Sequence, residues 1–185
     1  MTSAPLAPGS VSLRLYPHDL PAVKQVEILR RQARRAVEIG YDGVMVSEHH
    51  ADFPNYLPNP VQLAGLLLDV MPTGWVAPCP MLLPLKPYAL TVEDLAWLSA
   101  AYPGRIGVGF AAGALPVDFE LAEIPFDEIG ARFKTALPLA VAALRGHGPQ
   151  PLGRDRAVRR LANNPLPILI AAQSLAACRR AAALD

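Results

Sequence analysis

The spacing of apolar residues changes period repeatedly along the chain. Val11 to Leu15 (Val-Ser-Leu-Arg-Leu) alternates apolar and polar positions, the period of a half-buried strand, and Pro17 to Pro21 then supplies breakers. From Pro21 the period lengthens. Val26, Leu29, Ala33 and Val37 recur three and four residues apart, which predicts a helix with Pro21 in its first turn and Gly40 as its C-terminal cap. Gly43 to Ser47 is a short apolar run between turn residues, as expected of a strand covered on both faces of a parallel sheet. The alternation continues with a helix near Pro60 to Met71, a strand near Trp75 to Leu83, and a helix near Val92 to Ala101. Thr91 is placed to cap that helix, with Asp94 standing in for the capping-box Glu. A strand from Arg105 to Gly109, a helix near Phe126 to Leu144, a strand from Leu166 to Ala171 and a last helix from about Leu175, capped by Ser174, complete the pattern. Five strand-then-helix units predict an α/β protein with a parallel sheet and right-handed crossovers.

Two interruptions exceed the roughly 2 to 6 residues usual for such connections. Phe110 to Pro125 mixes Gly, Ala and acidic residues after a strand end and could be a mobile lid. Gly146 to Pro165 is Gly/Pro-rich and then basic through Arg154, Arg156, Arg159 and Arg160. It reads as a solvated surface excursion, with an anion site as the alternative. The sequence shows no fixed repeat and no low-complexity tract, so residues 1–185 are expected to form one domain or part of one.

Composition narrows the classes of function. The chain has 185 residues, 52% of them hydrophobic and 18% charged, with 17 Lys+Arg against 16 Asp+Glu, the profile of a globular protein of net charge +1. Interspersed charges of both signs give no footprint for nucleic acid or an anionic membrane, and neither is expected as a partner. Apolar runs such as Leu63 to Leu68 fall far short of the roughly 20 residues of a membrane span. Residues 1–10 carry neither a basic nor an apolar leader pattern, so the expected compartment is cytoplasmic. Cys79 and Cys178 lie 99 positions apart with no CxxC spacing, which argues against a zinc site or a disulfide scaffold.

Two architectures compete. Five strands suit a doubly wound, flavodoxin-like sheet of this length, whereas a (β/α) barrel needs eight strands and about 250 residues. Against the open sheet, Leu15-Tyr16-Pro17-His18-Asp19 lacks the glycine-rich turn that phosphate-binding doubly wound proteins carry after their first strand.

Ser47-Glu48-His49-His50 is the most polar cluster and follows a strand end, where both architectures place chemistry. Extended residues alternate in direction, so at most one of the two imidazoles is expected to face a pocket. That imidazole could act as a general acid or base. The alternative is that both only hydrogen-bond loop backbone. A metal held by Glu48, His49, His50 and His18 is disfavoured, because no HxH or HExxH spacing is present. Gly107, Gly109 and Gly113 do not match GxGxxG, although glycine at a strand end admits the close approach of a flat ligand or a neighbouring element. Ala77-Pro78-Cys79-Pro80 is unusual inside a strand, since proline cannot donate to a ladder, and a cis bond there would make a bulge. Cys79 reads as a packed residue rather than a nucleophile, because no base is identifiable from spacing. Gln173-Ser174 opens the last helix, where backbone N–H groups could bind an anion or Ser174 could simply cap.

Taken in order, these residues resemble the luciferase-like monooxygenase family. The resemblance rests on Gly40-Tyr41-Asp42-Gly43 leading into Ser47-Glu48-His49-His50, Asn59-Pro60 opening a helix, and Leu83-Pro84 after the third strand. It continues with Glu93-Asp94-Leu95-Ala96, Gly104-Arg105, Gly107-Val108-Gly109 with Gly113, Asp118-Phe119 and Ala171-Ala172-Gln173-Ser174. It implies a parallel TIM-type (β/α) barrel, here incomplete with about five βα units, so that residues 1–185 are the N-terminal part of a longer barrel or of one completed by another chain. It implies reduced FMN as cofactor, with a deazaflavin as the variant, a separate flavin reductase, molecular oxygen and a small organic substrate, and it leaves a homodimer open. By the same resemblance His49 is the catalytic acid/base. Cys79 and Pro80 fall where the family has a cis peptide behind the flavin ring, Ala111 and Ala112 beside ring and phosphate, and Ala172, Gln173 and Ser174 at the strand end that helps hold the flavin. Where luciferases carry a phosphate-gripping arginine, this sequence has Ala112. The competing functional reading is a non-catalytic flavin-binding or scaffold protein of the same fold.

Overall fold

A computed structural model of the chain describes residues 3–51, 53, 54 and 56–184. In chain order the main elements are β1 (Ser12–Arg14), α1 (Ala22–Glu38), β2 (Gly43–Val46), α2 (Pro60–Leu68), β3 (Trp75–Pro78), β4 (Met81–Leu82), α3 (Tyr88–Ala101), β5 (Val108–Ala111), α4 (Val117–Glu120), α5 (Ile129–Leu144), α6 (Arg156–Arg160), β6 (Ile168–Ile170) and α7 (Leu175–Ala182). Every strand pairing is parallel. β1, β2 and β3 are neighbours in that order, as are β4, β5 and β6, and a bridge from Val76 to Ile106 ties the two ladders together. Strand order therefore follows chain order from end to end. A flavodoxin-like sheet would reverse direction at a switch point, so this succession is that of consecutive barrel strands. β1 and β6 are each paired on one side only among the described residues, and the barrel is not closed.

Alternation along the strands sends side chains to two faces. Leu13, Val44, Val46, Val76, Val108, Phe110 and Ile170 face the helices, where Leu29, Ala33, Leu67, Leu95 and Leu144 complete the main core. Trp75, Ala77 and Cys79 lie on the opposite face with Met45, and Leu6 from the N-terminal segment packs against them. Asp42 holds that segment in place by accepting the N–H groups of Ser3 and Val11 at 2.9 Å each. Gly109 belongs to this inner face, and a Cβ there would lie 2.2 Å from Cys79 Sγ.

Several boundaries differ from the sequence reading. The strand expected from Trp75 to Leu83 is two strands broken at Cys79–Pro80, because Pro78 and Pro80 have no N–H with which to continue one ladder. That X-Pro bond is cis. α3 starts a turn earlier than expected. Pro87 occupies its N-cap position, and Thr91 is a buried residue inside the helix rather than its cap. The strand expected at Arg105–Gly109 lies instead at Val108–Ala111. Arg105 is committed to the preceding turn, where its guanidinium donates to the carbonyls of Met71, Thr73 and Gly74 at 2.7–2.9 Å. The basic stretch after Gly146 is only in part a solvated excursion, since Arg154, Arg156 and Arg159 are exposed while its apolar residues are packed. Leu152, Ala157, Val158 and Leu161 are buried in the main core, and Asp155 caps α6 by accepting from Ala157 and Val158 N–H. Asn59 and Ser174 cap α2 and α7 through their side-chain oxygens.

Substituting Gly109 by Ala forces a methyl into the Cys79 thiol and is expected to cost about 1–3 kcal/mol. Urea unfolding should show that loss, and the double variant Gly109→Ala, Cys79→Ala should recover part of it, since the Cβ of residue 79 still lies 3.0 Å from the added methyl. Equal losses in the single and double variants would show that the contact does not limit packing.

Candidate active site

The C-terminal end of β2 and the break between β3 and β4 are joined by a short network. Ser47 Oγ donates to the Cys79 carbonyl at 3.1 Å and receives Arg14 Nη1 at 2.9 Å, while Glu48 N–H donates to the Pro80 carbonyl at 3.1 Å. The Glu48 side chain is buried and spans the break, since its Oε2 accepts the Leu82 N–H at 2.6 Å. Its other oxygen lies 3.3 Å from His50 Nε2. Glu48 holds the His50 imidazole above the ordinary histidine pKa, since the hydrogen bond and the charge favour the protonated ring more than burial opposes it.

His49 meets a different carboxylate. Its Nδ1 lies 2.8 Å from Asp118 Oδ2, and the other Asp118 oxygen accepts the His50 backbone N–H at 2.8 Å. The Asp118 side chain is fully buried, with 0% exposure. The His49 ring also packs edge-on to Tyr56 and tilted against Phe53, with centroids 4.3 and 4.7 Å away. Both imidazoles line a cavity of about 680 Å³ together with Pro17, His18, Phe53 and Tyr56. A smaller cavity of about 290 Å³ is bordered by Glu48, His50, Thr91 and Asp118.

This corrects the expectation that at most one of the two histidines faces a pocket. Strict alternation ends with β2 at Val46, and the residues after it turn both rings toward the same space. Nor do the rings bond only to loop backbone, because each meets a carboxylate. His18 is bonded to Gln32 at 2.9 Å, and among the described residues no group of three or more His, Cys, Asp or Glu side chains is arranged to hold a metal ion. Phe110 to Pro125 carries a firm anchor, since Asp118 and Phe119 on α4 are buried at 1% and 0% exposure.

The other predicted site residues occupy successive strand ends. Cys79 and Pro80 form the β3–β4 break beside Ser47 and Glu48. Burial pushes the Cys79 thiol above its ordinary pKa, so it is a packed thiol rather than a reactive thiolate. Ala111 ends β5, in register with Leu82, and touches the cluster of Leu82, Phe119 and Ile129. Ala112 turns instead against the main core. Ala172, Gln173 and Ser174 follow β6 at the next strand end, where Ser174 caps α7, and they make no hydrogen bond to the histidine cluster. At these ends the close approach that Gly109 permits is taken by Cys79, whose Sγ would lie 2.2 Å from a Cβ there, and Ala111 follows on the same strand. Ala112 brings no side-chain donor for a phosphate, and the Ser174 hydroxyl oxygen is engaged in accepting the Ala177 N–H. Sequence reasoning missed Asp118 as a site residue. Its only signal was the Asp118-Phe119 pair inside the long connection, and its burial is a tertiary property.

The sequence profile of the luciferase-like monooxygenases matches residues 10–184. The chain belongs to the luciferase-like monooxygenase family. An uncharacterised protein of Mycobacterium tuberculosis is 30% identical over 108 residues, which cover 56% of this chain and 38% of that protein. Among solved structures, the oxygenating constituent of 3,6-diketocamphane monooxygenase from Pseudomonas putida, a type II Baeyer-Villiger monooxygenase in complex with FMN, aligns with a TM-score of 0.73. Its identity is 19%, over 87% of this chain and 50% of that one. The coenzyme F420-dependent tetrahydromethanopterin reductase from Methanopyrus kandleri aligns with a TM-score of 0.66 at 14% identity, over 89% of this chain and 50% of that one. At such identities the two structures testify to the fold. This luciferase-like chain spans 38% of the length of the mycobacterial relative and half of each solved chain. Among its described residues no helix is long and apolar enough to cross a membrane.

The raised His50 pKa has a defined sign. Its contribution to folding is fully present below the ordinary value of 6.5 and is lost as pH rises through the raised value. Glu48→Gln should lower the His50 midpoint in an NMR titration and shrink the part of stability that disappears on that rise. An unmoved midpoint would remove Glu48 as the cause.

Proposed function

We propose that residues 1–185 form the N-terminal, flavin-facing part of a flavin-dependent monooxygenase that oxygenates a small organic substrate with reduced FMN and molecular oxygen. The observation that carries this reading is the His49–Asp118 pair beside a 680 Å³ cavity at the C-terminal strand ends of a luciferase-like barrel segment, the face on which such barrels keep their chemistry. Family membership supports a flavin. When bound, reduced FMN supplies the two electrons with which one atom of oxygen enters the substrate and the other leaves as water.

The chain's own residues bind, orient and move protons. Cys79, Pro80 and Ala111 lie at the strand ends that would face the ring, and Ala172, Gln173 and Ser174 at the next strand end would border its polar end, whereas Ala112 packs against the main core. His49 exchanges a proton with the reacting groups through Nε2, which has no hydrogen-bond partner among the described residues. Phe53 and Tyr56 hold the His49 ring and exclude water on one side. The described lining of the cavity carries no Lys or Arg and includes Leu20, Phe53, Leu57 and Pro58, so a molecule with apolar surface fits it best. A deazaflavin would use the same strand ends, and a separate reductase would supply a reduced FMN. A homodimer is compatible with this arrangement.

Native mass spectrometry of the full chain with and without FMN tests cofactor binding, with one FMN per chain expected. A flavin-free spectrum would assign the site to residues beyond these. His49→Ala is expected to retain FMN while lowering oxygenation by about 10² or more. Undiminished turnover in that variant would favour the non-catalytic, flavin-holding reading.

A further inference from the structure

We infer that Asp118 is a positioning residue that holds His49 in a single tautomer, with the proton on Nδ1 and the Nε2 lone pair turned to the cavity. The inference rests on the acid/base role proposed above for His49 and gives that role a direction. An ionised carboxylate only accepts hydrogen bonds. With Asp118 as the ionised acceptor, its Oδ2 at 2.8 Å makes the Nδ1 of His49 the donor, and in the neutral ring Nε2 is left unprotonated. His49 then meets a bound molecule as a proton acceptor rather than as a hydrogen-bond donor.

Three further observations support this assignment. The Asp118 carboxylate is wholly removed from solvent, a costly place for a charge unless it is hydrogen-bonded, and its two partners are the His49 ring and the His50 backbone N–H. Its position is set by packing. Phe119, the next residue on α4, is fully buried and seated against Gly113, where a Cβ would lie 2.5 Å from Phe119 Cζ. Finally, the neighbouring carboxylate does not compete for the ring, because Glu48 is occupied by the Leu82 N–H and the His50 imidazole.

A purely structural Asp118 would do no more than tie the 48–50 turn to α4 through the His50 N–H. Asp118→Asn separates the two roles. The amide oxygen can still accept the His50 N–H, while the NH₂ group now faces His49 Nδ1 and requires it to accept, which moves the ring proton to Nε2. The measurement is a long-range ¹H–¹⁵N correlation spectrum of the ¹⁵N-labelled full chain under mildly alkaline conditions, with no cofactor needed. The wild type should show His49 protonated at Nδ1, and the Asn variant should show the proton at Nε2 with the melting temperature little changed. A wild-type ring protonated at Nε2 overturns the inference, and so does an unchanged tautomer in the folded Asn variant. The wild-type spectrum decides alone if the variant does not fold. In the loaded enzyme the Asn variant should lose at least about tenfold in kcat, an effect of the kind seen when a histidine base is held in the wrong tautomer. Its FMN affinity should stay unchanged. If the tautomer behaves as expected but His49→Ala leaves oxygenation intact, the functional reading fails while the positioning role stands.

Discussion

Pro80 has no N–H, so the third strand position of this sheet cannot run as one ladder from Trp75 to Leu83. The chain divides there into β3, which pairs with β2, and β4, which pairs with β5. Glu48 bridges the discontinuity by giving its backbone N–H to the Pro80 carbonyl and its carboxylate to the Leu82 N–H. The break and its repair bring the end of β2, with both histidines, against the strand end where Cys79 meets Gly109. The geometry of the candidate site depends on this joint more than on any single helix.

Two buried carboxylates divide the work around it. Glu48 serves the sheet and orients His50, while Asp118 arrives from a connection far along the chain and orients His49. Burying two acids in one neighbourhood is tolerable because each carboxylate oxygen has a donor. The result is a pair of imidazoles facing one cavity with different partners, one raised toward its charged form by Glu48 and the other held by Asp118.

The inner face shows a second economy. Met45, Trp75, Ala77 and Cys79 form a thin inner layer closed below by Leu6, while the opposite face carries the large helix-covered core. Leu169 on β6, 46% exposed, continues this inner side at the unpaired edge. A barrel segment arranged this way keeps most of its buried apolar packing in the outer layer.

Much of this was legible from residue order alone. Changes of period and short apolar runs located the succession of strands and long helices, because burial on one or two faces leaves its mark on local sequence, while the short helices α4 and α6 went unread. Ser47-Glu48-His49-His50 stood out because four polar residues end an apolar strand, and Asn59 and Ser174 were readable as caps because capping is chemistry between near neighbours. Thr91 misled, since a cap and a buried helical threonine look alike without knowing where Pro87 sits. The boundaries of the third and fourth strands also depended on partners, because a ladder is defined by its neighbour's hydrogen bonds and not by its own residues. Tertiary structure alone decided that the strands follow chain order around an inner face, that both histidines share a cavity, and that Asp118 reaches His49 across 69 positions of sequence. Local sequence carries periodicity and caps, whereas a contact between distant residues is settled only when the whole chain has packed.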